Sequence, residues 1–189
     1  MTIELDTKPA LVVIDLQAAV VALPSAHPMD QVIANAASLA DAFRAKGLPV
    51  VLVNVDGRAP GRTERSKAAG QAAPAAFPAE ATAIVPELHP QPTDLRVTKQ
   101  TLGAFLSTNL HEQLQALGVD QILLVGVSTT SGVESTARSA YELGYTVGFV
   151  VDGMTDMSID AHDASVSYQF PKLGEIGTTN EVLEALNQR

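Results

Sequence analysis

The chain has 189 residues, 46% of them hydrophobic but only 4% aromatic, no Cys or Trp, and a formal net charge of −9. The acidic balance excludes binding to nucleic acid or an anionic membrane through the overall field, because neutralising phosphate takes an excess of Lys and Arg, and it leaves a small molecule as the expected partner. Without Cys there is no disulfide, no thiolate nucleophile and no thiolate-held metal, and the length suits one domain over residues 1–189.

The opening residues MTIELDTKPA lack a signal-peptide pattern, and no run reaches the roughly 18 apolar residues of a membrane span. The expectation is a cytoplasmic protein. Four short runs rich in β-branched residues and bounded by Gly, Pro or Asp then read as buried strands: Ala10 to Ile14, Val50 to Val55, Gln121 to Val127 and Thr146 to Val151. Helical patterns lie between them at Asp30 to Lys46, Thr108 to Leu117 and Val133 to Leu143, each followed by a Gly suited to a left-handed C-cap. A further short extended stretch covers Leu95 to Lys99. This alternation predicts an α/β fold with a doubly wound, mostly parallel sheet, helices on both faces, and ligands beyond the carboxyl ends of the strands.

From Gly57 to Pro92 the rhythm breaks: six of the eleven prolines fall here, and so do Arg58, Arg62 and Arg65, three of the chain's seven arginines. The segment reads either as a loose insertion or as a lid whose guanidinium groups meet an anionic substrate.

Single residues carry less information. Asp15 closes the first apolar run (ALVVIDLQ), so it stands where ligands bind, and partial burial there would fit its carboxyl for acid–base work; capping a turn is the plainer alternative. Gln17 in the same run either contacts a ligand or supports the chain. Lys99 taken alone carries no functional signal. Ser131 and Glu134 have capping-box spacing, which predicts a helix start near Gly132 with backbone N–H groups turned towards the crevice. The four histidines, His27, His89, His111 and His162, lack metal-ligand spacing; His111 reads as a solvated helix residue, while His162 follows the fifth strand and could approach the site. No G-x-G-x-x-G or Walker pattern is present, so neither metal nor nucleotide cofactor is expected.

Three segments together, ALVVIDLQ, RVTKQTLGAF and GVSTTSGVESTARSAYELGY, resemble the isochorismatase-like hydrolase superfamily, the group that includes the cysteine amidohydrolases. The likeness runs from about Pro9 to Leu186, and Asp152 in VVDGMTD fits its order. It implies a Rossmann-like fold of about six strands. It also implies a catalytic group of Asp15, Lys99 and the nucleophile position, here Gly132, with Phe105 and Thr108 following the lysine. Further implications are a non-proline cis peptide at Val127–Ser128, substrate contacts from Val127, Ser128, Ser131, Gln17 and the loop arginines, and a homo-oligomer. With Gly in place of the thiol, the chain is similar to isochorismatases that hydrolyse a vinyl ether using the Asp as an acid. Asn54 and Asp56 depart from the Gln of siderophore and phenazine enzymes at the end of the second strand. Two other readings remain open: a binding module that lost its Cys, and an amidohydrolase using a substitute serine.

Overall fold

The computed structural model describes residues 2–57, 61, 63–68, 70 and 77–189, with positions 65 and 66 described for backbone alone. Arg58 and Arg62 lie outside the described residues. Six parallel strands form one sheet in the order β3-β2-β1-β4-β5-β6. They are β1 Pro9–Ile14, β2 Val50–Val55, β3 Leu95–Lys99, β4 Gln121–Val127, β5 Thr146–Thr155 and β6 Glu175–Gly177. The chain winds outward from β1 to β2 and β3, then returns beside β1 and winds the other way. The reversal falls between β1 and β4, and the carboxyl ends of the strands at such a switch point are where open α/β sheets bind ligands.

Strands β1 and β4 are buried along their whole length, which is why β1, and β4 from Ile122 onward, read as unbroken apolar runs. Alternate residues of β1 serve two cores. Ala10, Val12 and Ile14 pack with Leu110 and Leu114 of α5 (Leu110–Ala116) and Ala137 and Ala140 of α6 (Glu134–Glu142). Leu11 and Val13 pack with Leu39 and Phe43 of α2 (Met29–Ala45) and Val182 of α8 (Thr179–Asn187). Both faces are thus covered, and β1 and β4 approach closely. A Cβ on Gly126, which has φ 113°, would lie 2.0 Å from the Ile14 carbonyl oxygen, so only glycine fits there.

Two elements differ from the sequence expectation. Strand β5 runs to Thr155 instead of stopping at Val151, because a register shift between Leu124 and Gly126 of β4 lets it continue past the Asp152–Gly153 break and pair again at Met154 and Thr155. Strand β6 has only three residues on the sheet edge, too few for a pattern. The proline-rich segment contains α3 (Glu64–Ala68), α4 (Ala79–Thr82) and a 3-10 turn at Pro86–Leu88, and α1 (Ala18–Val21) precedes α2. The remaining helix, α7 (Ile159–Ala164), follows β5. Among the described residues no helix is long and apolar enough to cross a membrane.

Candidate active site

Asp15 follows the last residue of β1 with φ 51°, the left-handed region that Asp tolerates better than most residues. Its N–H donates to the Val53 carbonyl at 3.0 Å, so the turn away from the sheet begins while the backbone is still held by β2. Lys99 ends β3, two strands away. At about 4.8 Å per strand the gap is roughly 10 Å, a span that needs a long side chain. The Lys99 ammonium donates to Asp15 Oδ2 at 2.7 Å and to the Thr101 carbonyl at 3.2 Å. Both partners are buried, Asp15 being 6% exposed and Lys99 2%.

The pair is only half satisfied. Asp15 Oδ1 is buried and has no hydrogen-bond partner among the described residues. Burial pushes the Asp15 pKa up from 3.8 to about 6, overcoming the opposing pull of the Lys99 charge and hydrogen bond. A carboxyl in that range can hold a proton near neutral pH and give it up, with the ammonium beside it to take the resulting charge.

The third wall comes from the turn after β4. The Val127–Ser128 peptide is cis, as the resemblance implies. A wide, π-type turn covers Thr129–Val133 and leads into α6. Gly132 is buried, and a Cβ built on it would sit 3.3 Å from Asp15 Oδ2, 3.2 Å from the Val127 carbonyl oxygen and 2.8 Å from Ile14 Cγ2. A side chain at 132 would therefore begin against the carboxylate. Asp15, Lys99 and Gly132 are brought together.

The expected capping box does not form. The Glu134 carboxylate is instead taken by Arg138 at 2.8 Å and by the Ser165 hydroxyl at 2.6 Å, and no side chain of Ser128 caps the turn. Asp156, just after β5, does the capping: its Oδ2 accepts from the Thr130 N–H at 2.9 Å and from the Thr130 hydroxyl at 2.8 Å. Thr136 fastens the other side, donating to the Gly132 carbonyl at 2.6 Å while accepting from the Ala104 N–H at 3.0 Å. That second bond ties the turn to the segment following Lys99. Asp156 carries the same signal as Asp15, an acid closing a strand, but the signal is lost if β5 is taken to end at Val151.

Gln17 is fully buried, and its amide is used on backbone: it donates to the Val55 and Ala81 carbonyls and accepts from the Val55 N–H. It brackets β2 against α4. Val127 is buried, whereas Ser128 and Ser131 are half-buried, and neither serine hydroxyl bonds to an imidazole or carboxylate among the described residues. Arg65 lies on α3, and its side chain is outside the described atoms. Phe105 packs against Tyr145 with ring centroids 5.8 Å apart. Asn54 accepts from Thr98, Asp56 from the Phe77 N–H and Asp152 from Thr179.

His111 departs from the solvated role expected of it, whereas His162 does come near the site. His111 Nδ1 lies 2.9 Å from the Tyr145 hydroxyl, so it is engaged with the core edge rather than solvated. His162 is buried and meets the turn through Thr129. Among the described residues no group of three or more His, Asp or Glu could hold a metal ion.

Known proteins share this fold. The isochorismatase domain model matches residues 9–181. YwoC of Bacillus subtilis strain 168, an uncharacterised isochorismatase family protein, is 40% identical over 180 residues, covering 94% of this chain and 93% of that protein. The solved structure of an isochorismatase family protein from Burkholderia thailandensis superposes with a TM-score of 0.91 at 38% identity, covering 99% of this chain and all of the other. The isochorismatase of Bacillus subtilis strain 168 matches over a shorter stretch, 31% identical over 103 residues, or 54% of this chain and 33% of that one. The chain belongs to the isochorismatase family and is a hydrolase of that family.

Proposed function

We propose that the protein hydrolyses a vinyl ether on a small carboxylated substrate, with isochorismate as the first compound to try, and that it needs no cofactor. One observation carries the reading: in a chain without cysteine, a buried carboxyl with a raised pKa keeps one oxygen unpartnered among the described residues, beside a glycine that puts no side chain against it. Asp15 Oδ1 gives its proton to the enolpyruvyl methylene carbon, and the C=C electron pair forms the new C–H bond. The resulting oxocarbenium ion takes up water, which releases one proton to Asp15 or solvent. The hemiketal then collapses: its hydroxyl proton is passed, directly or through water, to the ring oxygen as the C–O bond to the ring breaks, the C=O of pyruvate forms, and the dihydroxy acid leaves. Lys99 keeps Oδ2 paired and stabilises the carboxylate left after protonation.

Support also comes from the matching isochorismatase of Bacillus subtilis. In this reading Arg58, Arg62 and Arg65 bind the substrate carboxylates, while Val127, Ser128 and Ser131 line the approach. The resemblance further supports work in the cytoplasm as a homo-oligomer.

Incubation with isochorismate, with pyruvate followed by a coupled dehydrogenase, tests the proposal. Turnover is expected, and Asp15→Asn should reduce it by about 10²- to 10⁴-fold, the usual contribution of a general acid. Because the acid must be protonated, kcat/KM should fall as pH rises through about 6. Isochorismate binding without pyruvate would replace the hydrolase reading by that of a binding module, and an acyl adduct on Ser128 or Ser131 would replace it by amidohydrolysis.

A further inference from the structure

A second ionisable group is buried against the same turn. His162 of α7 is 6% exposed, and its Nδ1 lies 2.8 Å from Thr129 Oγ1. Thr129 opens the turn and has no exposed surface, so the contact is not that of a nucleophilic hydroxyl with its base; no substrate atom could reach that oxygen. His27, from the loop between α1 and α2, meets the His162 ring edge-on with centroids 4.6 Å apart. His27 is itself fixed by Thr155, whose hydroxyl oxygen lies 3.1 Å from the His27 backbone N–H and 3.0 Å from its Nδ1. Burial and then His27 hold the His162 pKa below the ordinary imidazole value, against the attraction of Asp163 and Asp156. A neutral imidazole offers one donor and one acceptor nitrogen, and Thr129 occupies the first ring position.

The other end of this turn shields Asp15. The backbone at Gly132 lies close enough that a single added carbon would be 3.3 Å from the carboxylate oxygen, so the turn itself is part of the dry wall around that group. Asp156 and Thr136 hold the middle and the far end. Among the described residues of the turn, Thr129 is the one hydrogen-bonded to a side chain of α7.

We infer that His162 is a positioning residue of the Asp15 site: by gripping Thr129 it seats the Thr129–Val133 turn on the carboxyl and keeps water from it. The functional consequence rests on the reading of Asp15 as the acid, since a hydrated carboxyl of ordinary strength is a poor proton reservoir near neutral pH. Lys99 is the charged group facing Asp15. His162 faces His27, Asp156 and Asp163.

The test needs no substrate, so its failure is distinct from failure of the turnover assay. The Asp carboxyl carbons are titrated by ¹³C NMR in the full chain, with Asp15→Asn identifying the signal. The native midpoint is expected at about 6. His162→Phe and Thr129→Val should each lower it by about one unit or more as water enters, whereas Thr129→Ser, which keeps the hydroxyl, should retain it. Should His162→Phe fail to fold, Thr129→Val carries the test, because it preserves shape. An unchanged midpoint in a folded Thr129→Val protein overturns the inference, as does an equal fall in Thr129→Ser.

Discussion

The turn after β4 separates two ionisable pairs that are built on opposite plans, one with both members buried and one in which only His162 is buried. On the Gly132 side, Asp15 and Lys99 come from the ends of two strands, and their charges face each other at 2.7 Å with one carboxylate oxygen left over. On the Thr129 side, His27 and His162 come from a loop and a short helix, and each ring is anchored by a threonine hydroxyl. Burial acts on both sides by disfavouring charge, yet it raises the pKa of the acid and lowers that of the base. The comparison teaches that burial beside one turn moves an acid and a base in opposite directions, each being positioned by a different set of elements.

Deleting one partner at a time gives the largest effect and would break the comparison if the strand-end pair proved to be an ordinary surface pair. Asp15→Ala leaves a cation buried without its counter-charge and should cost about 3–5 kcal/mol in urea unfolding. Lys99→Met should cost less, because the carboxyl can neutralise itself by keeping its proton. Equal losses, or losses under about 1 kcal/mol, would place both groups in effective contact with water.

The pH dependence sharpens the contrast. Asp15 binds its proton more tightly folded than unfolded, so its contribution to stability is full below 3.8 and falls as pH rises towards about 6, by about 3 kcal/mol in all. His162 has the opposite sign: the unfolded chain takes up the proton first, so stability falls as pH drops below the ordinary imidazole value of 6.5. Urea midpoints measured between pH 4 and 8 should therefore lose the first slope in Asp15→Asn and the second in His162→Phe. A variant in which the wrong slope disappears would refute the assignment.

A smaller effect is expected at Gly132→Ala. The new methyl would press on Ile14 Cγ2, a methyl on the branched Cβ that can move only if the side chain rotates, so a cost of about 1–3 kcal/mol is expected. The methyl also removes space for water beside Asp15 Oδ2, so the Asp15 midpoint should rise rather than fall. Urea unfolding reads the first change and the carboxyl titration described above reads the second.

The sheet was largely legible because parallel strands buried on both faces must be apolar, and β1 is so throughout while β2 and β4 depart from it only at Asn54 and Gln121. Asp15 was legible for the same reason, as the first charge after such a run. Lys99 was not, except through the family resemblance. Its partner lies across an intervening strand, and nothing in the spacing of residues 15 and 99 encodes strand order. The capping-box spacing at Ser131 and Glu134 misled because a local pattern cannot reveal that Arg138 and Ser165 claim the glutamate first. His27 and His162 were invisible as a pair, since their meeting depends on how a loop before α2 and a helix after β5 are both drawn to Thr155 and Thr129.

Gly126 sets a limit on how this scaffold could be adapted. With the β1 carbonyl where its side chain would begin, the floor beneath the crevice has no slack, and no substitution there could deepen it without parting the two central strands. Redesign for a bulkier guest would therefore have to work from the rim, at the residues following Lys99 and in the proline-rich excursion, while the floor stays constant from one variant to the next.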